Sequence, residues 1–176
     1  GKVSKGEITE EYDKELIAAA EDTIKAYYKN MDSYHNANAC ETIMNLAKRC
    51  NKYIDETTPW TLAKDEANKD RLSAVLYNLL ECIRLLSIML SPIMPDSSES
   101  IKAQLCTDIT TLSFGEVKEY SVGAAVPLFA RLDTAKVLEE IAAEEEKKEQ
   151  ENITKLSEIS IDDFAKVELR CAKITA

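Results

Sequence analysis

The sequence predicts an all-α fold: an antiparallel helix bundle, then a C-terminal helical linker and a single strand-like tail. Three observations predict it. Gly and Pro number only 4 each among 176 residues, far below the roughly 12% they contribute to an average chain. A sandwich or barrel needs turn formers every 8–12 residues or so. Apolar residues recur at spacings of three and four along three long stretches, and strong breakers separate those stretches. The 45% apolar and 31% charged composition lies outside the disordered and membrane classes. No apolar run reaches membrane-spanning length, and Gly1 to Gly6 lack the apolar core of a signal peptide, so the expected setting is cytoplasmic.

The first helix is predicted over residues 9–31, with Tyr12, Leu16, Ala20, Ile24, Tyr27, Tyr28 and Met31 on one face. Thr9 is its expected N-cap, and Glu10 and Glu11 suit the positive end of the helix dipole. The second runs from residue 33 or 35 to 55. Its expected seam is Asn36, Cys40, Ile43, Ala47, Cys50 and Ile54, and it should stop before Thr57-Thr58-Pro59 because a residue preceding proline is pushed out of the α region. The third, from residue 68 or 70 to 90, is apolar on nearly every face and reads as the central helix. Ser91-Pro92 and Met94-Pro95 end it, and Asp96-Ser97-Ser98-Glu99 reads as the cap of a short fourth helix reaching Leu105. Residues 107–132 read as an irregular strap over the bundle. Residues 139–151 hold seven Glu and two Lys, half of the chain's net charge of −10, and read as a solvated helical linker. From Val167 to Cys171 the pattern alternates with period two, which is a strand signature.

No catalytic constellation is present in the sequence. The only glycines are 1, 6, 115 and 123, so there is no Gly-rich phosphate loop, and no nucleophile–histidine motif occurs. The single histidine, His35, reads as a surface or capping residue, and Asp162-Asp163 as the cap of a short element. The cysteines 40, 50, 82, 106 and 171 form no C-x-x-C pair, which argues against a zinc site or a disulfide framework. Cys40, Cys50 and Cys82 read as small buried residues of a reducing compartment. No metal and no cofactor is expected in this chain.

One corner stands out. The only tryptophan, Trp60, directly follows Pro59 at the break between the second and third helices. The indole could plug the end of the bundle, or it could stand exposed and stack an unpaired nucleobase. Residues 45–71 carry six Lys/Arg and five Asp/Glu, a weakly basic window in an acidic chain. It is no electrostatic footprint for duplex nucleic acid. RNA bound here would be held through a few loop bases.

These residues resemble a known family. Ile43-Met44-Asn45-Leu46-Ala47 and Asn51-Lys52-Tyr53-Ile54-Asp55, followed by Pro59-Trp60 and Ala63-Lys64, resemble the C-terminal helical anticodon-binding domain of bacterial methionyl-tRNA synthetases. Leu90-Ser91-Pro92-Ile93-Met94-Pro95 is similar to the end of that domain's next helix. Pro127-Leu128-Phe129-Ala130-Arg131-Leu132-Asp133 is similar to its closing segment, and the stretch from Ile159 to Arg170 to the start of an appended OB-type tRNA-binding and dimerisation domain.

The resemblance implies a helical anticodon-binding domain over residues 1–132 whose first helix precedes Gly1. An acidic linker at 133–152 and the beginning of an incomplete OB-type domain at 153–176 would follow. It implies that Trp60 stacks on a base of the CAU anticodon, that Pro59 fixes its approach, and that Asn51 and Lys52 make lesser contacts. The family's other readers, an Asn and an Arg, belong to the preceding helix, and part of the bundle should be exposed without it. The implied parent is a methionine–tRNA ligase that uses ATP and Mg; this chain lacks the catalytic domain and should be inactive alone. Expected partners are the anticodon loop of tRNA(Met) and, through the OB-type domain, a second copy, with neither membrane nor DNA involved. Read from the residues alone, two alternatives stand beside it: an acidic protein-interaction scaffold, and the equivalent domain of a synthetase for another aliphatic amino acid.

Overall fold

The computed structural model describes residues 2–129, 132–155 and 159–168. These fall into two compact units, divided between Leu128 and Phe129.

In the first unit, helices α1 (Glu11–Asp32), α2 (Asn36–Thr57) and α4 (Lys69–Leu90) form the bundle. The single-turn helix α3 (Pro59–Leu62) and a 3-10 turn (Glu66–Asn68) lie between α2 and α4. Helix α5 (Pro95–Leu105) packs back on α4, tied by reciprocal Ser87–Ser98 hydrogen bonds of 2.8 and 3.1 Å. The core joins Leu16, Ala20 and Tyr27 of α1 to Ala39, Ile43, Leu46, Cys50 and Tyr53 of α2, and to Val75, Leu79, Cys82, Leu85 and Met89 of α4. Helix α4 is apolar and long enough to cross a membrane, but 56% of its most apolar window is buried in the protein, so it is the central core helix the sequence predicts. Its line Leu72, Leu76 and Ile83 joins no core cluster, and Ile83 stays 38% exposed.

Four local expectations are corrected. Helix α1 is capped at Glu10 rather than Thr9, because the Asp13 carboxylate reaches back and accepts from the backbone N–H groups of both Thr9 and Glu10 at 3.3 and 3.4 Å. The buried line of α2 is Ala39, Ile43, Leu46, Cys50, Tyr53 and Thr57. It keeps the predicted spacing but is turned toward its two largest inward side chains, since α2 packs on α1 and α4 together. Helix α2 also continues through Thr57, whose Oγ1 donates to the Tyr53 carbonyl at 2.7 Å; only Thr58, immediately before proline, leaves the α region. Helix α5 begins at Pro95 after Met94, so Asp96 sits inside its first turn; proline's fixed φ suits that opening position.

The strap is not wholly irregular. Glu119–Ser121 (β2) pairs antiparallel with Lys2–Ser4 (β1), Val3 opposite Tyr120. Two three-residue strands carry too little periodicity to be read from sequence. Between Thr111 and Val117 the strap's backbone groups bond to α4 side chains, and farther on Gly123 and Val126 bond to Gln104 of α5. Arg84 donates to the carbonyls of Thr111 and Ser113 at 2.7 and 2.6 Å. Glu81 accepts from the Gly115 N–H at 2.5 Å, from the Tyr120 hydroxyl, and from Arg84 at 3.0 Å. Gly115 has φ of +86°, the left-handed conformation that glycine adopts without a steric cost.

At the other end of α4 a second buried ionic cluster joins three helices. Asp13 of α1 is fully buried. It accepts two hydrogen bonds from Arg71 of α4, at 2.6 and 3.0 Å, and one from the Tyr53 hydroxyl of α2 at 2.5 Å. Asn78 of α4 donates to the same hydroxyl at 3.2 Å. Burial pushes the Asp13 carboxyl up, but the Arg71 and Tyr53 hydrogen bonds outweigh it and hold the carboxyl below its ordinary range. Burial and the Asp13 carboxylate together hold the Tyr53 hydroxyl well above its own.

The second unit contains α6 (Thr134–Lys155), the predicted acidic helix, and the one-turn helix α7 (Ile161–Phe164). The N-cap of α7 is Ser160 rather than the expected Asp162-Asp163 pair; Asp163 completes the cap from the third helical position, the two bonding reciprocally at 3.1 and 3.2 Å. The predicted strand lies mostly outside the described residues, and Val167 and Glu168, which are inside, are irregular. Cys50 and Cys82 are buried as expected, Cys40 is half-buried and Cys106 exposed; Cys171 lies outside the described residues.

Two measurements check this packing. A Cβ placed on Gly6 would lie 2.4 Å from the Cβ of Ala74 and 2.8 Å from its Cα, so Gly6→Val should cost about 1–3 kcal/mol, read as a lower urea midpoint at unchanged m. Because the folded pKa of Asp13 lies below its unfolded value, the stability it contributes is complete above the unfolded pKa of about 4 and is lost as pH falls through the folded value. Asp13→Asn should lower stability at neutral pH and flatten its decline on acidification, measured by denaturant unfolding across that range.

Candidate nucleic-acid interface

The corner is built by a change of backbone hand. Thr58 adopts φ 41°, ψ 61°, a left-handed conformation that costs a non-glycine residue about 1–3 kcal/mol and persists only where its surroundings fix it. Both sides do so here. The Thr58 N–H donates to the Ile54 carbonyl at 2.9 Å, and its own carbonyl accepts from the Thr61 N–H at 2.8 Å. Pro59 then opens α3, where its missing N–H loses nothing.

The turn directs Trp60 outward, and its side chain is among the exposed large apolar groups, 55% accessible. The residue that closes the end of the bundle is Leu62, half-buried against the main core. Trp60 is therefore no plug, and a flat π-face is open to solvent at the corner.

Asn51 and Lys52 lie on the outward face of α2 together with Asn45, Lys48 and Asp55, all exposed. Lys52 is not a free cation. Its ammonium lies 3.2 Å from Glu56 Oε1, with the side chain 66% exposed. Glu56 Oε2 accepts from Arg49 at 2.9 Å, and Arg49 also reaches Glu15 of α1 at 3.2 Å and the Tyr12 carbonyl at 3.4 Å. Four of the six basic residues of the weakly basic window, Arg49, Lys52, Lys69 and Arg71, are thus already partnered by carboxylates, while Lys48 and Lys64 stand exposed near the corner in sequence.

The sequence singled out Pro59, Trp60, Asn51 and Lys52. It passed over Arg49, which braces the last turns of α2, and Asp13, Tyr53, Arg71 and Asn78, which hold that helix from below. The available signal was Asp13 itself: a carboxylate three residues before Leu16, on the inward face of an amphipathic helix, needs a buried partner.

Among the described residues, no group of three or more His, Cys, Asp or Glu side chains could hold a metal ion. A cleft of about 560 Å³ lies between the N-terminal segment and α4, lined by residues including Lys5, Gly6, Glu7, Asp70 and Arg71. Its guanidinium is already engaged by Asp13 and Glu10, and its mixed charges favour no ligand class.

Comparison with known proteins supplies the family. Residues 3–158 match the model of the anticodon-binding domain of methionyl-tRNA ligase. The methionine–tRNA ligase of Bacillus subtilis (strain 168) is 39% identical over 97% of this chain, and that of Clostridium tetani (strain Massachusetts / E88) is 43% identical over 94%. The chain spans 28% and 27% of their lengths. Among solved structures, the free-state Mycobacterium tuberculosis methionyl-tRNA synthetase aligns with a TM-score of 0.68 at 25% identity, covering 76% of this chain and 28% of that one. The same enzyme bound by methionyl-adenylate gives 0.67 over 74% and 27%. An all-α bundle whose family match runs through the Pro59–Trp60 corner, with relatives of one name along nearly its whole length, belongs to the anticodon-binding domain family of methionyl-tRNA ligases.

Proposed function

We propose that the Pro59–Trp60 corner reads the CAU anticodon of tRNA(Met), so that the enzyme carrying this domain attaches methionine to that tRNA. The observation that carries the reading is the exposed Trp60 face, held by a proline and a strained turn within a domain of this family. A splayed loop base stacks on the indole, Pro59 limits the directions from which the ring is approached, and Asn51 and Lys52 contribute lesser polar contacts from the outward face of α2. The Asn51 amide has donors and an acceptor for a base edge, and Lys52 has an ammonium that Glu56 shares.

Stacking suits the charge. A chain of net charge −10 gains little from phosphate neutralisation, so recognition falls to base faces and edges in a single-stranded loop. Methionine activation with ATP and Mg belongs to the catalytic part of such an enzyme, beyond the length this chain spans. The further division into a helical domain to residue 132, an acidic linker and an OB-type segment from residue 153 is part of the same proposal, as are a homodimer formed through that segment and a cytoplasmic setting. Its support is the change of sequence pattern after α6.

The test uses Trp60 as its own reporter. Titrating the chain with an anticodon stem-loop bearing CAU should quench the single tryptophan. Trp60→Ala, followed with labelled RNA, should weaken binding by about 1–3 kcal/mol, from about fivefold to about 150-fold. Equal affinity for CAU and for a loop with altered anticodon bases would overturn the reading.

A further inference from the structure

Trp60 is exposed, so its own contacts do little to orient it; its direction is set by the backbone that leads to it. The left-handed Thr58 hangs from the last turn of α2 through the Ile54 carbonyl, and Thr57 in the same turn hydrogen-bonds through its side chain to the Tyr53 carbonyl. Tyr53 is fully buried, and its hydroxyl ends in the cluster where Asp13 of α1 and Asn78 of α4 meet it at 2.5 and 3.2 Å. One side chain thus links the turn that bears the tryptophan to both neighbouring helices. On the outer side Glu56 of the same turn pairs with Arg49 and with Lys52, both partly open to solvent.

We propose that Tyr53 is a positioning residue for Trp60: its hydroxyl, anchored on Asp13, fixes the end of α2 so that the strained Thr58 turn presents the indole in one orientation. The effect on RNA rests on the anticodon-reading role given to Trp60 above. The effect on the ring does not, because it belongs to the free chain. Without the hydroxyl, Asp13 keeps Arg71 and its two backbone donors, so the bundle persists. The end of α2 loses its buried polar tether to α1 and α4 and is held by Arg49 and apolar packing, which leaves the Thr58 turn freer to relax toward unstrained conformations.

Tyr77 supplies the matched control. It is equally buried, and its hydroxyl donates to the Val117 carbonyl at 2.5 Å on the strap side of α4, away from the corner. Tyr53→Phe and Tyr77→Phe make the same chemical change and should both lower the melting temperature. Time-resolved anisotropy of Trp60 well below either transition separates them. The slow-tumbling fraction should fall by about half in Tyr53→Phe and stay at the wild-type value in Tyr77→Phe, and affinity for the CAU stem-loop should drop about fivefold in the first and hold in the second. Unchanged Trp60 order in Tyr53→Phe overturns the positioning role, whatever the RNA result. Loss of order with undiminished RNA affinity leaves the positioning role standing and overturns the stacking role of Trp60 instead.

Discussion

A carboxylate with no exposure to solvent sits where three helices converge, and much of the first unit's arrangement follows from it. Moving Asp13 out of water is costly unless its oxygens are well supplied. They are: by Arg71 twice, by Tyr53, and by the backbone of Thr9 and Glu10. Each donor comes from a different part of the chain. The group therefore caps α1, fixes the rotation of α4 about its axis, and seizes the last turns of α2 at once. Replacing such a cluster by apolar side chains need not reduce stability; what it supplies is a single allowed register among helices whose apolar faces could otherwise slide.

Helix α4 repeats this solution near its other end. Glu81, Arg84 and Tyr120 are again a carboxylate, an arginine and a tyrosine, all nearly or fully buried. Here the carboxylate and guanidinium share one helix and turn outward to hold the strap. A helix apolar on most of its circumference would be poorly determined in rotation, and the two clusters face different neighbours. Between them they fix which side of α4 meets α1 and α2 and which side meets the strap.

The helices were legible because amphipathic spacing and proline breaks are local properties. Residues 107–122 were not, because their structure is set by backbone groups bonding to Glu81 and Arg84 some thirty residues earlier. The seam of α2 was read with the right period but rotated, since a helix touching two neighbours buries a broad face whose centre is fixed by Leu46 and Tyr53. At the corner, Pro59 and Trp60 announced themselves by composition, and the resemblance to a family named the role. Arg49 and Tyr53 did not stand out: one looked like any surface cation and the other like any aromatic of a core stripe. Their partners, Glu15 and Asp13, lie 34 and 40 residues away.

The carboxylate shared between Arg49 and Lys52 has a consequence for the medium in which the domain works. A cation that already has a protein counterion must give it up before it can neutralise a phosphate, so Arg49 and Lys52 would contribute less than two free cations to the ion release that makes nucleic-acid binding fade as salt rises. On the stacking role proposed for Trp60, attachment by a flat ring and hydrogen-bonding edges would keep its strength as ionic strength varies, and it would offer little to strands of the wrong sequence that carry only charge.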